Sequence, residues 1–98
     1  MERPKLVSST PIGGVLVLER TPFADDRGRL DRLFDSDFIE GLLPGFRAVQ
    51  VNHTFTKKRG TVRGVHFQMP PYAEAKIITC LRGRVFDVAV DVRHGSPT

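Results

Sequence analysis

Ninety-eight residues, two-fifths of them hydrophobic, suffice for one compact domain with little core to spare. Fifteen Lys and Arg against eleven Asp and Glu give a net charge of +4, which favours anionic ligands. The chain nevertheless has no lysine run, exposed aromatic ladder or groove-docking motif of a nucleic-acid binder, and Cys80, its only cysteine, excludes an internal disulfide and a thiolate metal cluster.

A small phosphorylated ligand fits the charge at least as well as nucleic acid does. The lone cysteine points to a reducing cytoplasm. No apolar stretch reaches signal-peptide or membrane-spanning length, so the expectation is a soluble, unexported protein without a membrane partner.

In chain order, GVLVLERTPF (14–23) reads as a strand stopped by Pro22. FADDRGRLDRLF then places a turn at 25–28 between two alternating segments, a hairpin or a loop returning into a strand. DSDFIEGL offers Asp37 as a helix cap, with Glu40 three residues on and Gly41 as a stop. FRAVQVNHTFT (46–56) alternates as a strand, KKRG is a turn, and TVRGVHFQ is another strand. Beyond the Pro70-Pro71 break, EAKIITCL and RVFDVAVDV are two strands joined tightly through Arg82 and Gly83. Five or six strands and one short helix predict an all-β sandwich or barrel. The strong strand at 87–92 has no later element to cover it, so either a partner chain closes the structure or the chain is part of a longer protein.

His66 is the first candidate for chemistry. An imidazole in an apolar strand either makes a structural hydrogen bond, the commoner case, or serves as a base near neutral pH. Arg63, three positions earlier, falls on the opposite face of an ideal strand. Gly64 between them can mark a bulge that turns both to one side, the alternative being that Arg63 simply faces solvent. Lys76 interrupts an apolar strand, and a two-residue turn at Arg82 and Gly83 makes Lys76 and Asp87 diagonal neighbours on one face. A lysine so held suits an enolate or phosphate oxygen, and an ordinary cross-strand ion pair fits equally. Gln50 and Asn52 alternate onto one face, where their amides can read hydroxyls or phosphate oxygens, or satisfy backbone at a sheet edge. Gly60, His66, Gln68, Glu74 and Gly83 follow the spacing of the first cupin motif, but with one imidazole and an amide a transition-metal site is poorly supplied, and no metal is expected.

The stretches DDRG (25–28), VQVNHT (49–54), RGTVRGVHFQ (59–68), AKIITCLRGRVFDVAVDVR (75–93) and the closing SPT together resemble the dTDP-4-dehydrorhamnose 3,5-epimerase family. The resemblance implies an all-β, RmlC-like cupin jelly roll with one short helix, of which residues 1–98 form the N-terminal part. Its core strands would lie within 46–93, and segment 12–34 would exchange between the subunits of a homodimer.

The activity implied is inversion of carbon 3, carbon 5 or both in a dTDP-4-keto-6-deoxyhexose, by proton abstraction beside the keto group and without cofactor or metal. By the same resemblance His66 is the base, Lys76 stabilises the oxyanion with Arg63 nearby and Asp87 in support, Arg27, Gln50 and Asn52 bind the nucleotide, and Phe23 lies near the base. Arg32 stands where the family commonly has glutamate, which bears on the contact to the nucleobase. Family members are nearly twice as long, and the other half carries the aspartate that pairs with the histidine and the tyrosine that acts at the far proton. The competing readings are a one-centre epimerase, a non-catalytic sugar-nucleotide-binding or dimerisation half-cupin module, and a small basic nucleic-acid binder.

Overall fold

The computed structural model describes residues 5–97, with side chains described from residue 10 onward. Strand β1 (Lys5–Ser9) pairs antiparallel with β2 (Leu16–Glu19), with a register irregularity between Leu6 and Ser8. The loop between them is built by Thr10. Its hydroxyl oxygen lies 3.0 Å from the Ile12 carbonyl and 2.9 Å from that of Val15, and also accepts the Ile12 amide. Gly14 closes the loop at a φ of 86°, a conformation that favours glycine. The sequence reading finds β2 but places no strand at β1.

The turn expected at 25–28 is present. Strand β3 (Phe23–Asp25) pairs with β4 (Gly28–Leu30), with Phe23 opposite Leu30 and Asp25 opposite Gly28. The Asp25 carboxylate accepts the Arg27 amide at 2.9 Å and the Arg27 guanidinium at 2.7 Å, the local aspartate turn that such a connection favours.

Helix α1 (Ser36–Leu42) starts two residues earlier and ends one residue later than the sequence suggests. Its cap is Asp35, not Asp37. Asp35 is extended and its Oδ1 accepts the Phe38 amide at 3.1 Å, which satisfies a first-turn donor. Gly41 lies inside the helix, and the stop comes from Pro44, whose ring drives Leu43 out of the helical region. Glu40 is not part of a capping box; its carboxylate accepts the Gly45 amide beyond the helix end, at 3.0 and 3.1 Å from its two oxygens. Ile39 on this helix is buried at 5% exposure, and the Phe34 and Phe46 rings meet across its two ends at 6.3 Å.

From residue 46 to 93 the expected turns form while the strands between them do not pair. Lys58 accepts the Thr61 amide and hydroxyl, Met69 accepts the Tyr72 amide, and Gly60 and Gly83 have positive φ. The segments between these turns form no strand or helix and no ladder among the described residues. This corrects the expected hairpin across Arg82 and Gly83 and the register that set Lys76 beside Asp87. The cause is the lack of a covering layer. Phe86 is 94% exposed, and Val51, Val62 and Val85 are also open to solvent. A two-stranded ribbon without an apolar face to pack on is marginal in water. A radius of gyration of 15.6 Å, against about 13 Å for a compact domain of this length, reflects the same shortage of burial.

Candidate functional site

Phe23 and Arg27 are held by the β3–β4 hairpin, Phe23 at its first paired residue and Arg27 in its turn. The Arg27 side chain is 90% exposed although it pairs with Asp25, so its guanidinium can still reach a ligand. Its hydrogen bonds, side chain first and then amide, hold the Asp25 carboxyl below the usual carboxylate range. Gln50 and Asn52 lie two residues apart in one exposed segment without assigned secondary structure.

Gly64 has a φ of 102°, a conformation that favours glycine, in a segment that forms neither the expected strand nor an assigned bend. The imidazole of His66 folds back over that glycine, its Nδ1 standing 3.1 Å from the position that a Cβ on residue 64 would take. Arg63 and His66 are both exposed. Lys76 Nζ pairs with Glu74 Oε1 at 3.3 Å, two residues back in its own segment, and not with Asp87. Among the described residues, no hydrogen bond or ion pair links any two of Phe23, Arg27, Gln50, Asn52, Arg63, His66, Lys76 and Asp87.

Three features escape the sequence reading. Arg32 turns its Nη1 onto Asp35 Oδ2 at 3.3 Å and so supports the helix cap. Arg20 reaches both Asp31 and the Cys80 carbonyl, a contact for which opposite charges flanking a predicted hairpin are the available signal. Finally, Asp91 gathers Arg93 and Ser96 at the last turn. Its oxygens accept the Arg93 amide at 3.0 Å, the guanidinium at 2.9 and 2.7 Å, and the Ser96 hydroxyl. These bonds, the Arg93 side chain foremost, hold the Asp91 carboxyl far below the usual range and raise the Arg93 guanidinium.

An open cleft of about 510 Å³ lies along β2 and β4, with Val17, Glu19, Arg20, Arg29 and Asp31 in its wall. It holds none of the eight residues singled out above. Among the described residues, no helix is long and apolar enough to cross a membrane, and no group of three His, Cys, Asp or Glu is placed to hold a metal ion.

Residues 9–98 match the family model of dTDP-4-dehydrorhamnose 3,5-epimerase. The chain is 41% identical over 90 residues to the dTDP-4-dehydrorhamnose 3,5-epimerase of Sinorhizobium fredii, which covers 92% of this chain and 46% of that protein. It is 44% identical over 92 residues to the enzyme of the same name from Escherichia coli, covering 92% of this chain and 49% of the relative. To the dTDP-4-dehydrorhamnose 3-epimerase of Streptomyces niveus it is 46% identical over 91 residues, covering 90% of this chain and 44% of the relative. No solved structure matches. The chain spans about half the length of the curated relatives it matches. With nearly all its residues inside the match, the chain belongs to the dTDP-4-dehydrorhamnose 3,5-epimerase family.

Proposed function

We propose that this chain is the base-carrying, N-terminal part of a nucleotide-sugar epimerase acting on a dTDP-4-keto-6-deoxyhexose. The observation that carries the reading is the family match over residues 9–98. His66 takes the proton from the carbon next to the ketone, the C–H electron pair moves into the carbonyl, and an enolate forms. Lys76 and Arg63 hold the negative charge on that oxygen, which is where preorganised cations lower the barrier most. Return of a proton to the opposite face inverts the centre, with no net oxidation and no cofactor. Arg27 takes a diphosphate oxygen, Gln50 and Asn52 bind the nucleotide, and Phe23 packs near the base.

The unpaired edges of β3 and β4 and the exposed apolar side chains of 46–93 support a homodimer in which segment 12–34 reaches the neighbouring subunit, within an RmlC-like jelly roll. The compartment proposed is the cytoplasm. Sedimentation as a monomer at micromolar concentration contradicts the dimer.

The test of ligand class is calorimetric titration with dTDP and with a short DNA duplex at two salt concentrations. Binding of dTDP supports the reading. Binding of DNA alone, with affinity falling steeply in salt, overturns it in favour of a nucleic-acid binder. The half-length coverage favours one second reading, a non-catalytic sugar-nucleotide-binding or dimerisation module. That module binds dTDP but gives no proton exchange in any assembled form.

A further inference from the structure

The net positive charge of the chain is concentrated in one span. Residues 41–73 include Arg47, Lys57, Lys58, Arg59 and Arg63 and no aspartate or glutamate, whereas the rest of the chain carries ten Lys and Arg against eleven Asp and Glu. The surplus belongs to this span alone. Ion pairing follows the same division. Arg20, Arg27, Arg32, Lys76 and Arg93 each meet a carboxylate, while among the described residues none of the five cations of 41–73 has one.

Three of those five cations are consecutive and sit on one turn. The Lys58 carbonyl accepts the Thr61 hydroxyl at 2.8 Å and the Thr61 amide at 3.4 Å, and Gly60 takes a φ of 83°. Backbone groups and Thr61 build the turn, so the side chains of Lys57, Lys58 and Arg59 are left exposed to solvent. Adjacent like charges repel, and no carboxylate nearby in the chain offsets them. An anion arriving from solution does.

We propose that turn 57–60 is a capture element for the diphosphate of the nucleotide sugar. Its field draws the anion toward the span that also carries Gln50, Asn52, Arg63 and His66, and the turn does not hold the ligand once it is bound. This rests on the reading made under Proposed function. The span lies within one subunit, so capture needs no residue of segment 12–34. The residue types suit attraction at a distance, because a lysine ammonium is a hydrated point charge on a flexible stem and not a rigid grip. A residue that grips the ligand acts mainly on dissociation, whereas a steering charge acts on association and fades with salt.

Stopped-flow association of dTDP carrying a fluorophore on its 3′ oxygen with the 98-residue chain tests this. The two conditions are about 0.01 M and about 1 M salt, where charges are screened over about 30 Å and about 3 Å. Lys57→Gln, Lys58→Gln and Arg59→Gln together slow association roughly fivefold at low salt, just under the range for steering by a focused cleft. Dissociation and the high-salt rate stay unchanged. Lys57→Arg with Lys58→Arg keeps the charge, alters the geometry and keeps the rate. A second measurement needs no nucleotide. An anionic nitroxide relaxes the amides of 56–63 more strongly than a cationic one, while 23–30, where Asp25 and Asp26 offset Arg27 and Arg29, shows no preference.

Equal relaxation of 56–63 by the two nitroxides overturns the proposal. So does unchanged association in the glutamine variant, or a loss of affinity that lies wholly in dissociation; dTDP binding then still supports the functional reading. If that variant keeps its dTDP association and loses binding of a DNA duplex, the turn serves nucleic acid and capture of the diphosphate is given up. Absence of dTDP binding by the unsubstituted chain overturns the functional reading and the capture role with it.

Discussion

The imidazole of His66 lies directly over Gly64, with Nδ1 3.1 Å from where a Cβ would stand and the glycine at a φ of 102°. Both facts disfavour a side chain at residue 64. Gly64→Ala either holds the positive φ, at a cost of roughly 1–2 kcal/mol, or leaves it, and in either case the imidazole shifts by a few tenths of an ångström or more. The expected outcome is a shifted His66 ring resonance and altered amide signals over 62–68. Unchanged His66 resonances in Gly64→Ala would show that the ring does not rest on this glycine.

The helix cap gives a second expectation. Asp35→Ala removes the acceptor of the Phe38 amide and the partner of Arg32 together, at about 1 kcal/mol, and amide exchange in α1 accelerates accordingly. Asp35→Asn keeps the cap oxygen and loses only the charge. It should fall within a few tenths of a kcal/mol of the unsubstituted helix, roughly the worth of an exposed helical ion pair.

Turn chemistry was legible in the sequence because it is local. The aspartate turn at Arg27, the turn at KKRG and the break at Pro70-Pro71 each depend on one or two side chains and their own backbone. Pairing over 46–93 was not legible because a ladder needs a neighbour and a covering layer, and alternation of residues states neither. The helix cap was misplaced for a related reason. Asp35 and Asp37 are equally good acceptors by type, and Arg32 on the Asp35 carboxylate supports the cap that forms. His66, Lys76 and Arg63 were recognisable only through the resemblance of the motif around them, since single basic residues in extended segments have many ordinary uses.

The last turn should titrate unusually. The Asp91 carboxyl is depressed below its ordinary 3.8, first by the Arg93 side chain, then by the Ser96 hydroxyl and the Arg93 amide. A depressed folded value means that the stabilising contribution is fully present above the unfolded carboxyl range and is lost as pH falls through the folded value. On acidification from pH 6, the Arg93–Ser96 turn therefore persists to below pH 3.8, and Asp91→Asn removes that acid-side transition. The carboxyl carbon shift of Asp91 and the Ser96 amide follow it directly. A midpoint at or above 3.8 would contradict the bonding seen here.

Catalysis by these residues alone is the most demanding expectation. In an assembled enzyme of full length, His66→Asn should abolish solvent deuterium uptake at carbon 3 and leave dTDP binding largely intact, because the base acts only in proton transfer. The isolated chain should resemble that variant. Its His66 is exposed and rests on Gly64 with no carboxylate partner, so the imidazolium that forms on proton abstraction has neither orientation nor a compensating charge. Loss of the comparable carboxylate in a hydrolase triad costs on the order of 10⁴ in rate. Lys76 is open to water and paired with Glu74, which neutralises part of the field that an enolate oxygen would feel. Incubation of the chain with dTDP-4-keto-6-deoxyglucose in deuterium oxide, followed by mass measurement of the recovered sugar, reads the outcome. Little or no uptake is expected from the chain, with restoration when the carboxylate-bearing half of a relative is supplied. Uptake by the chain alone at the rate of a full-length relative would mean that an exposed imidazole and a half-neutralised lysine suffice, and the requirement for a partner carboxylate would have to be given up.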